Sequence, residues 1–325
     1  MPNDLKLIRM DTVQALPVNW LWFPYIPCGK ITLVQGDPGE GKTMLVLTIA
    51  ALLSKGLPLP GQEMGTAPAN IIFQTAEDGL ADTVKPRLLQ AGADCERILV
   101  IDDSDTPLTI LDERLEMAVL RENAKLLILD PLQAFLGADV DMHRANEVRP
   151  AFRRLVGVAE RTGCAIVIVG HMNKMQGTKG IYRGLGSIDI PAIARSILFV
   201  GREHPDDDAR YLTQIKNSLA PMGESLLFTI EDGIRFLGIS DMTADKLLTG
   251  SRDEPKQSKV LSAADLLKER LLEGDLPAAE LMETFAELGF GEKTLKTAKK
   301  ELGVKSRKEG STWFWSLDEG SRQTD

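Results

Sequence analysis

Hydrophobic and polar positions along the 325-residue chain fall into two regimes. Over roughly the first two hundred residues, short unbroken apolar runs alternate with longer stretches of mixed character. The runs are Lys30 to Gln35 (K-I-T-L-V-Q), Asn70 to Thr75 (N-I-I-F-Q-T), Ile98 to Ile101, Lys125 to Asp130 (K-L-L-I-L-D) and Cys164 to Gly170 (C-A-I-V-I-V-G). Between them, Met44 to Leu53, a segment ending at Gln90, Leu111 to Asn123 and Arg144 to Arg161 predict helices. Strands that are apolar throughout and alternate with helices mark a parallel sheet covered on both faces, an α/β architecture. From Ser196 the pattern changes. Ile197 to Val200, Tyr211 to Lys216, Leu226 to Ile230 and Ile234 to Leu237 are short strands separated only by turns, which predicts an antiparallel extension.

A polar, proline-containing stretch, Ser251 to Lys259, reads as a linker. Beyond it Ala263 to Glu273, Ala278 to Leu288 and Glu292 to Leu302 have helical patterns, and two short strands flank a basic turn before Ser316. The expected organisation is an N-terminal segment (1–29) packed on a core domain (30–250), a linker (251–260) and a small α+β domain (261–325).

Between the first apolar run and the first helix lies Gly36-Asp37-Pro38-Gly39-Glu40-Gly41-Lys42-Thr43, which fits the Walker A pattern. Strand, glycine loop and helix together make this a mechanism. Backbone N–H groups curl around phosphates, and the helix N-terminus, running through Met44, adds positive potential. Lys42 reaches the β- and γ-phosphates and the Thr43 hydroxyl ligates Mg²⁺, so ATP with Mg²⁺ is the expected ligand. Asp130 ends an apolar strand, as a carboxylate that holds Mg²⁺ through water does. Pro131 comes next, so the acid that activates water comes from elsewhere. Glu77, just past the strand ending at Thr75, is the expected general base, with Asp78 its rival. His171 comes directly after the strand at Cys164 to Gly170, facing the γ-phosphate, and is placed to sense it. The loop Met172 to Ser187 after it carries Lys174, Lys179 and Arg183 among four glycines. It suits either contact with nucleic-acid phosphates or, through Arg183, an arginine finger to a neighbour's ATP.

Composition narrows the setting. The net charge of −9 argues against a surface that is basic all over, so any nucleic-acid contact is local. Cys28, Cys95 and Cys164 are scattered and in no C-x-x-C pair, which fits a reducing cytoplasm without disulfides or zinc. No signal peptide is read at the N-terminus, and Trp20 to Pro27 is too short and proline-broken to span a bilayer. That aromatic stretch is expected to pack on the core or on a neighbouring subunit.

With these residues in view, Leu5 to about Leu237 resembles the RecA-like P-loop ATPases of the hexameric RepA and DnaB helicase type, nearest to the RepA-like branch of plasmids and phages. The matching pieces are G-D-P-G-E-G-K-T, T-A-E-D-G, L-L-I-L-D-P-L, V-I-V-G-H-M-N-K, Y-R-G-L-G-S and I-K-N-S. The resemblance implies that Glu77 is the base, His171 the phosphate sensor and Arg183 a finger acting in trans. It also places Lys216 at a subunit interface near the neighbour's nucleotide. DnaB-type helicases carry an arginine near that position, where this chain reads Lys216-Asn217-Ser218, so Arg183 and Lys216 compete for the trans role. A homo-hexameric ring or a filament is implied, with ATP between subunits and the loops Gly137 to Asn146 and Met172 to Ser187 facing single-stranded DNA.

The C-terminal segment resembles a winged helix. Gly291 to Gly310 carries seven basic and three acidic residues, a local +4. Lys293, Lys296 and Lys300 share one helical face while Leu295, Ala298 and Leu302 line another. Lys305, Arg307 and Lys308 sit in the candidate wing. A helix in the major groove with a wing on the phosphates is the functional reading, with duplex DNA the partner. The reading as a whole is a cytoplasmic, ring-forming DNA helicase, translocase or replication accessory ATPase. Alternatives are a recombination or repair filament ATPase and an ATP-switched DNA-binding regulator.

Overall fold

The computed structural model describes residues 7–137, 145–171, 189–204, 207–249 and 263–317, without 265, 269, 273, 288, 289 and 311. Two short strands come first, Trp20–Trp22 (β1) and Ile26–Pro27 (β2), paired antiparallel. The chain then enters the main sheet through Ile31–Gly36 (β3), Ile71–Thr75 (β4), Ile98–Leu99 (β5), Leu126–Asp130 (β6), Ala165–His171 (β7) and Ser196–Gly201 (β8). It returns through Ala209–Asn217 (β9), Ser225–Glu231 (β10) and Gly233–Ser240 (β11). The nine strands run in the order β11-β10-β9-β8-β3-β7-β6-β4-β5. Pairings from β8 to β5 are parallel, and those joining β8, β9, β10 and β11 are antiparallel. The expected parallel core with an antiparallel extension is the observed architecture.

Period-two geometry explains why the central strands have no polar face. In β6, Leu127 and Leu129 join one core while Leu126 and Ile128 join the other. β7 divides in the same way, with Ile166 and Ile168 against Ala165, Val167 and Val169. The covering helices are Lys42–Lys55 (α1), Lys85–Gln90 (α2), Glu113–Glu122 (α3), Ala145–Thr162 (α4) and Asp189–Ile193 (α5), with Ala244–Thr249 (α6) after the last strand.

Local capping sets where several elements begin or end. The third helix starts at Glu113 because the Asp112 carboxylate accepts from the Arg114 N–H, and Asn123 closes it in the left-handed region. β5 is two residues shorter than the sequence predicts. The Gln74 side chain donates to the Ile101 carbonyl at 3.1 Å and accepts from the Ile101 N–H at 3.0 Å, taking both groups out of the ladder.

The aromatic N-terminal stretch packs on the core of its own chain. Trp22 is fully buried, donates from Nε1 to the Pro60 carbonyl at 2.9 Å and stacks on Tyr25 with centroids 4.5 Å apart. The Tyr25 hydroxyl donates to the Glu224 carbonyl at 2.6 Å, tying this hairpin to the turn before β10. Among the described residues no helix is long and apolar enough to cross a membrane.

The chain divides into two compact units, Met1–Thr249 and Gly250–Asp325. The second has helical residues between 263 and 272, the helices Ala278–Glu287 and Glu292–Glu301, and a three-stranded antiparallel sheet. Its strands are Leu276–Pro277 (β12), Lys305–Glu309 (β13) and Thr312–Ser316 (β14), in the order β12-β14-β13. β12 is too short to leave a sequence signal. Leu267, Leu281, Phe285, Leu295, Ala298 and Trp315 form its core.

Trp22→Ala removes a fully buried ring and its hydrogen bond. It is expected to cost about 3–5 kcal/mol of stability in the first unit, read as a shifted midpoint in urea unfolding.

Candidate nucleotide site

Strand register brings the site together before any side chain is considered. Gly36 at the end of β3 lies opposite His171 of β7, and Thr75 at the end of β4 lies opposite Asp130 of β6. Four of the predicted segments therefore end at one edge of the sheet, where an open α/β sheet binds its ligands.

The loop from Gly36 to Gly41 turns tightly at this edge. Gly39 and Gly41 have φ of +83° and +88°, values that side chains rarely tolerate. A Cβ on Gly36 would lie 2.1 Å from the Val200 carbonyl oxygen, so β8 itself demands a glycine there. Helix α1 begins at Lys42, and its first-turn N–H groups have no acceptor within the helix. Lys42 is buried, and Nζ donates to the carbonyls of Gly36 and Asp37 at 2.9 and 2.8 Å. Burial pushes its ammonium pKa down, while Asp130, Asp37, Glu40 and Glu77 oppose that shift. The lysine is thus held by its own loop.

Asp130 is also buried. Desolvation raises its carboxyl to about 6; a hydrogen bond from the Thr43 hydroxyl works against this, and Asp78 adds to it. Its Oδ2 has no hydrogen-bond partner among the described residues. A buried, unsatisfied carboxylate oxygen beside a threonine hydroxyl is a donor set suited to a hard divalent cation and its waters. Thr43 and Asp130 therefore fit the expected Mg²⁺. Among the described residues there is no cluster of three or more His, Cys, Asp or Glu, so the remaining ligands would be phosphate oxygens and water.

The two acids after β4 differ in their commitments. Asp78 is bound by Arg87 at 2.8 Å. The Glu77 carboxylate is exposed and has no hydrogen-bond or ion-pair partner among the described residues. The Thr75 hydroxyl accepts from the backbone N–H groups of both, at 3.4 and 3.3 Å, fixing the turn. Glu77 is thus the acid available to a water molecule.

Other predicted residues fall elsewhere. Lys216 pairs with Ile197 near the start of β8, at the opposite sheet edge from the phosphate loop. Its Nζ donates to the carbonyls of Pro191, Ala192 and Ala194 at the end of α5, and burial lowers its pKa. Lys174, Lys179 and Arg183, and most of the loop Gly137 to Asn146, lie outside the described residues.

In the second unit Lys293, Lys296 and Lys300 line one shallow recess with Glu292 and Thr297, while Leu295 and Ala298 point into the core. Lys296 pairs with Glu292 at 2.6 Å. Arg307 is engaged by Asp275 and Glu309 at 3.2 and 3.1 Å, and Lys308 lies 5.8 Å from the centroid of the exposed Trp313 ring. β13, which carries Lys305, is exposed along its whole length.

Two arginines that the sequence did not single out lie against the phosphate loop. Arg202 binds Glu40, and Arg210 packs beside Gly41 with Ile230. Nothing local in the sequence marks them, because their place depends on β8 pairing with β3.

Because the Asp130 carboxyl is raised, the folded chain keeps a proton there that the unfolded chain releases. That contribution is complete below the ordinary carboxylate pKa and is lost as pH rises through about 6. Between about pH 4.5 and about pH 7.5, wild type should lose on the order of 2 kcal/mol of stability that Asp130→Asn keeps. Thermal unfolding of the two proteins without nucleotide, compared across that range, reads the difference.

The family described as "AAA domain" matches residues 2–177 of the chain. The chain is also similar to proteins called "DNA repair protein RadA". It is 24% identical to that of Bacillus subtilis over 232 residues, covering 69% of this chain and 44% of the relative. For the Halalkalibacterium halodurans protein the identity is 24% over 229 residues, with 69% and 44% covered. For that of Brucella abortus it is 26% over 234 residues, with 70% and 44% covered. The chain thus spans less than half the length of these relatives. Strand, glycine loop, helix and the aligned acids at one sheet edge agree with the match over the first half of the sequence: the chain belongs to the AAA domain family of RecA-like P-loop ATPases.

Proposed function

We propose that this chain is an ATP-hydrolysing motor that works on DNA as an assembly of subunits, most simply a ring. The observation that carries the hydrolytic half is the convergence on one sheet edge of a buried Lys42, a buried Asp130 with an unpartnered oxygen and an uncommitted Glu77. Glu77 orients water toward the γ-phosphate and accepts its proton. Lys42 exchanges the carbonyls of Gly36 and Asp37 for phosphate oxygens, stabilising charge as the terminal phosphoryl group departs. When bound, Mg²⁺ neutralises phosphate charge, and Thr43 and Asp130 are the residues that would hold it. His171, level with Gly36 in the adjacent strand, reports the state of the phosphate to the loop after it. Arg183 or Lys216 from a neighbouring subunit would supply the trans cation.

DNA is the proposed object for two reasons. The RadA relatives are named as DNA repair proteins, and the Glu292–Glu301 helix turns Lys293, Lys296 and Lys300 to one exposed side. With the β13–β14 hairpin beside that helix, the second unit is read as a winged helix. The same relatives favour a second reading, a recombination or repair ATPase rather than a replicative helicase. Strand displacement on a forked substrate separates the two, since a filament ATPase leaves the fork paired. Particle imaging with an ATP analogue, with and without single-stranded DNA, tests the ring; a monomer in every condition would refute it.

Glu77→Gln is expected to bind ATP as wild type does while turnover falls by about 100-fold or more; near-normal hydrolysis would remove Glu77 from its role. Replacing Lys293, Lys296 and Lys300 together by alanine should weaken DNA binding and reduce the slope of log affinity against log salt by about 2–3. Fluorescence anisotropy at several salt concentrations measures both, and an unchanged slope would move the DNA contact elsewhere.

A further inference from the structure

The phosphate loop carries an acid where its ligand is strongly anionic. Glu40 sits between the two left-handed glycines at the tip, with its N–H donating to the Asp37 carbonyl at 3.3 Å. Asp37, Glu77, Asp78 and Asp130 surround the same opening, and Lys42 is the loop's own cation. A nucleoside triphosphate brings about four further negative charges to this place. An unpaired Glu40 carboxylate would repel it.

That carboxylate is paired. Arg202, one residue beyond β8, places Nε 3.0 Å from Glu40 Oε2, and the two side chains are only 20% and 14% exposed. The same guanidinium donates from Nη2 toward the Gly39 carbonyl at 3.5 Å and from Nη1 to the Asp207 carbonyl at 3.3 Å. One side chain therefore grips the loop tip at two points and the β8–β9 turn at a third. The position is a matter of topology. β8 pairs parallel with β3, so the chain leaving Gly201 emerges beside the chain leaving Gly36. On the strand paired with β8, burial lowers the pKa of Arg210, and the charge of nearby Arg202 acts in the same direction. A second arginine thus borders this loop, and it raises the positive potential that offsets Glu40.

We infer that Arg202 is a positioning residue for the nucleotide: it neutralises Glu40 and fixes the loop tip, so that the loop accepts a triphosphate despite its own acid. This rests on the nucleotide reading above. It makes a prediction of opposite sign at the two ends of the ion pair. Arg202→Met leaves a largely buried carboxylate facing the phosphates and should raise KM for ATP about tenfold, with the loss in KM rather than kcat. Glu40→Gln removes the repelling charge and leaves the arginine, and should bind ATP as tightly as wild type or more tightly. The double variant Glu40→Gln/Arg202→Met should recover most of what Arg202→Met loses, and Arg202→Lys part of it. A purely structural tether predicts the reverse: both single variants weaken binding and the double variant is no better than the worse one.

The experiment is titration of the full-length protein with a fluorescent ATP analogue in Mg²⁺, paired with steady-state ATPase kinetics, after circular dichroism has established folding. The clamp is overturned if Arg202→Met binds within about twofold of wild type or if Glu40→Gln weakens binding. Should Arg202→Met fail to fold, the sign of the Glu40→Gln effect decides alone. Wild type that binds no nucleotide overturns the ATPase reading and the clamp with it, whereas intact wild-type binding with an unaffected arginine variant overturns the clamp only.

Discussion

Parallel pairing of β3 with β7 on one side and β8 on the other, continued through β6 to β4, decides where the charged groups of this site come to rest. Backbone hydrogen bonds fix the register, and the register places Gly36 level with His171 and one strand from Arg202. Apolar burial on both faces then holds those strands rigidly, since β6 and β8 are buried at every position. A site on such strand ends is positioned by the whole sheet. The loop residues contribute chemistry, and the sheet contributes their coordinates.

Electrostatics set the second constraint. Lys42 and Asp130 are each taken out of water, and each is shifted toward neutrality by burial while the other holds it charged. Burying two such groups is costly unless opposite charge and hydrogen bonds compensate, and here each supplies part of that compensation to the other. Ion pairing also tempers the acids that crowd the opening: Asp78 is spent on Arg87 and Glu40 on Arg202, so of the two acids that follow β4 it is Glu77 that stays uncommitted.

What could be read from sequence was what is local. The glycine loop, the strand ends at Thr75 and Asp130 and the helices between them have short-range signals, and their observed bounds differ by a residue or two. The antiparallel extension was legible because four short strands were separated only by turns. Arg202 and Arg210 were not legible, because their nearness to the loop depends on which strand lies beside β3, a fact about topology. Nor was the shortening of β5, which a single amide at Gln74 brings about by satisfying both backbone groups of Ile101. β1 and β2 were foreseen only as an aromatic segment that packs, since strands of three and two residues carry no periodicity.

The contact between Gly36 and the Val200 carbonyl bears on how this motif is read in any genetic survey. The first glycine of a phosphate-binding loop is usually credited to the ligand, yet here the neighbouring strand excludes a side chain at that point whether or not a nucleotide ever binds. A variant at Gly36 would be scored as catalytically dead when it is in truth a lesion of strand packing. Only variants at Gly39, where an added Cβ meets nothing within 4 Å, separate the loop's demand for a left-handed turn from the sheet's demand for space.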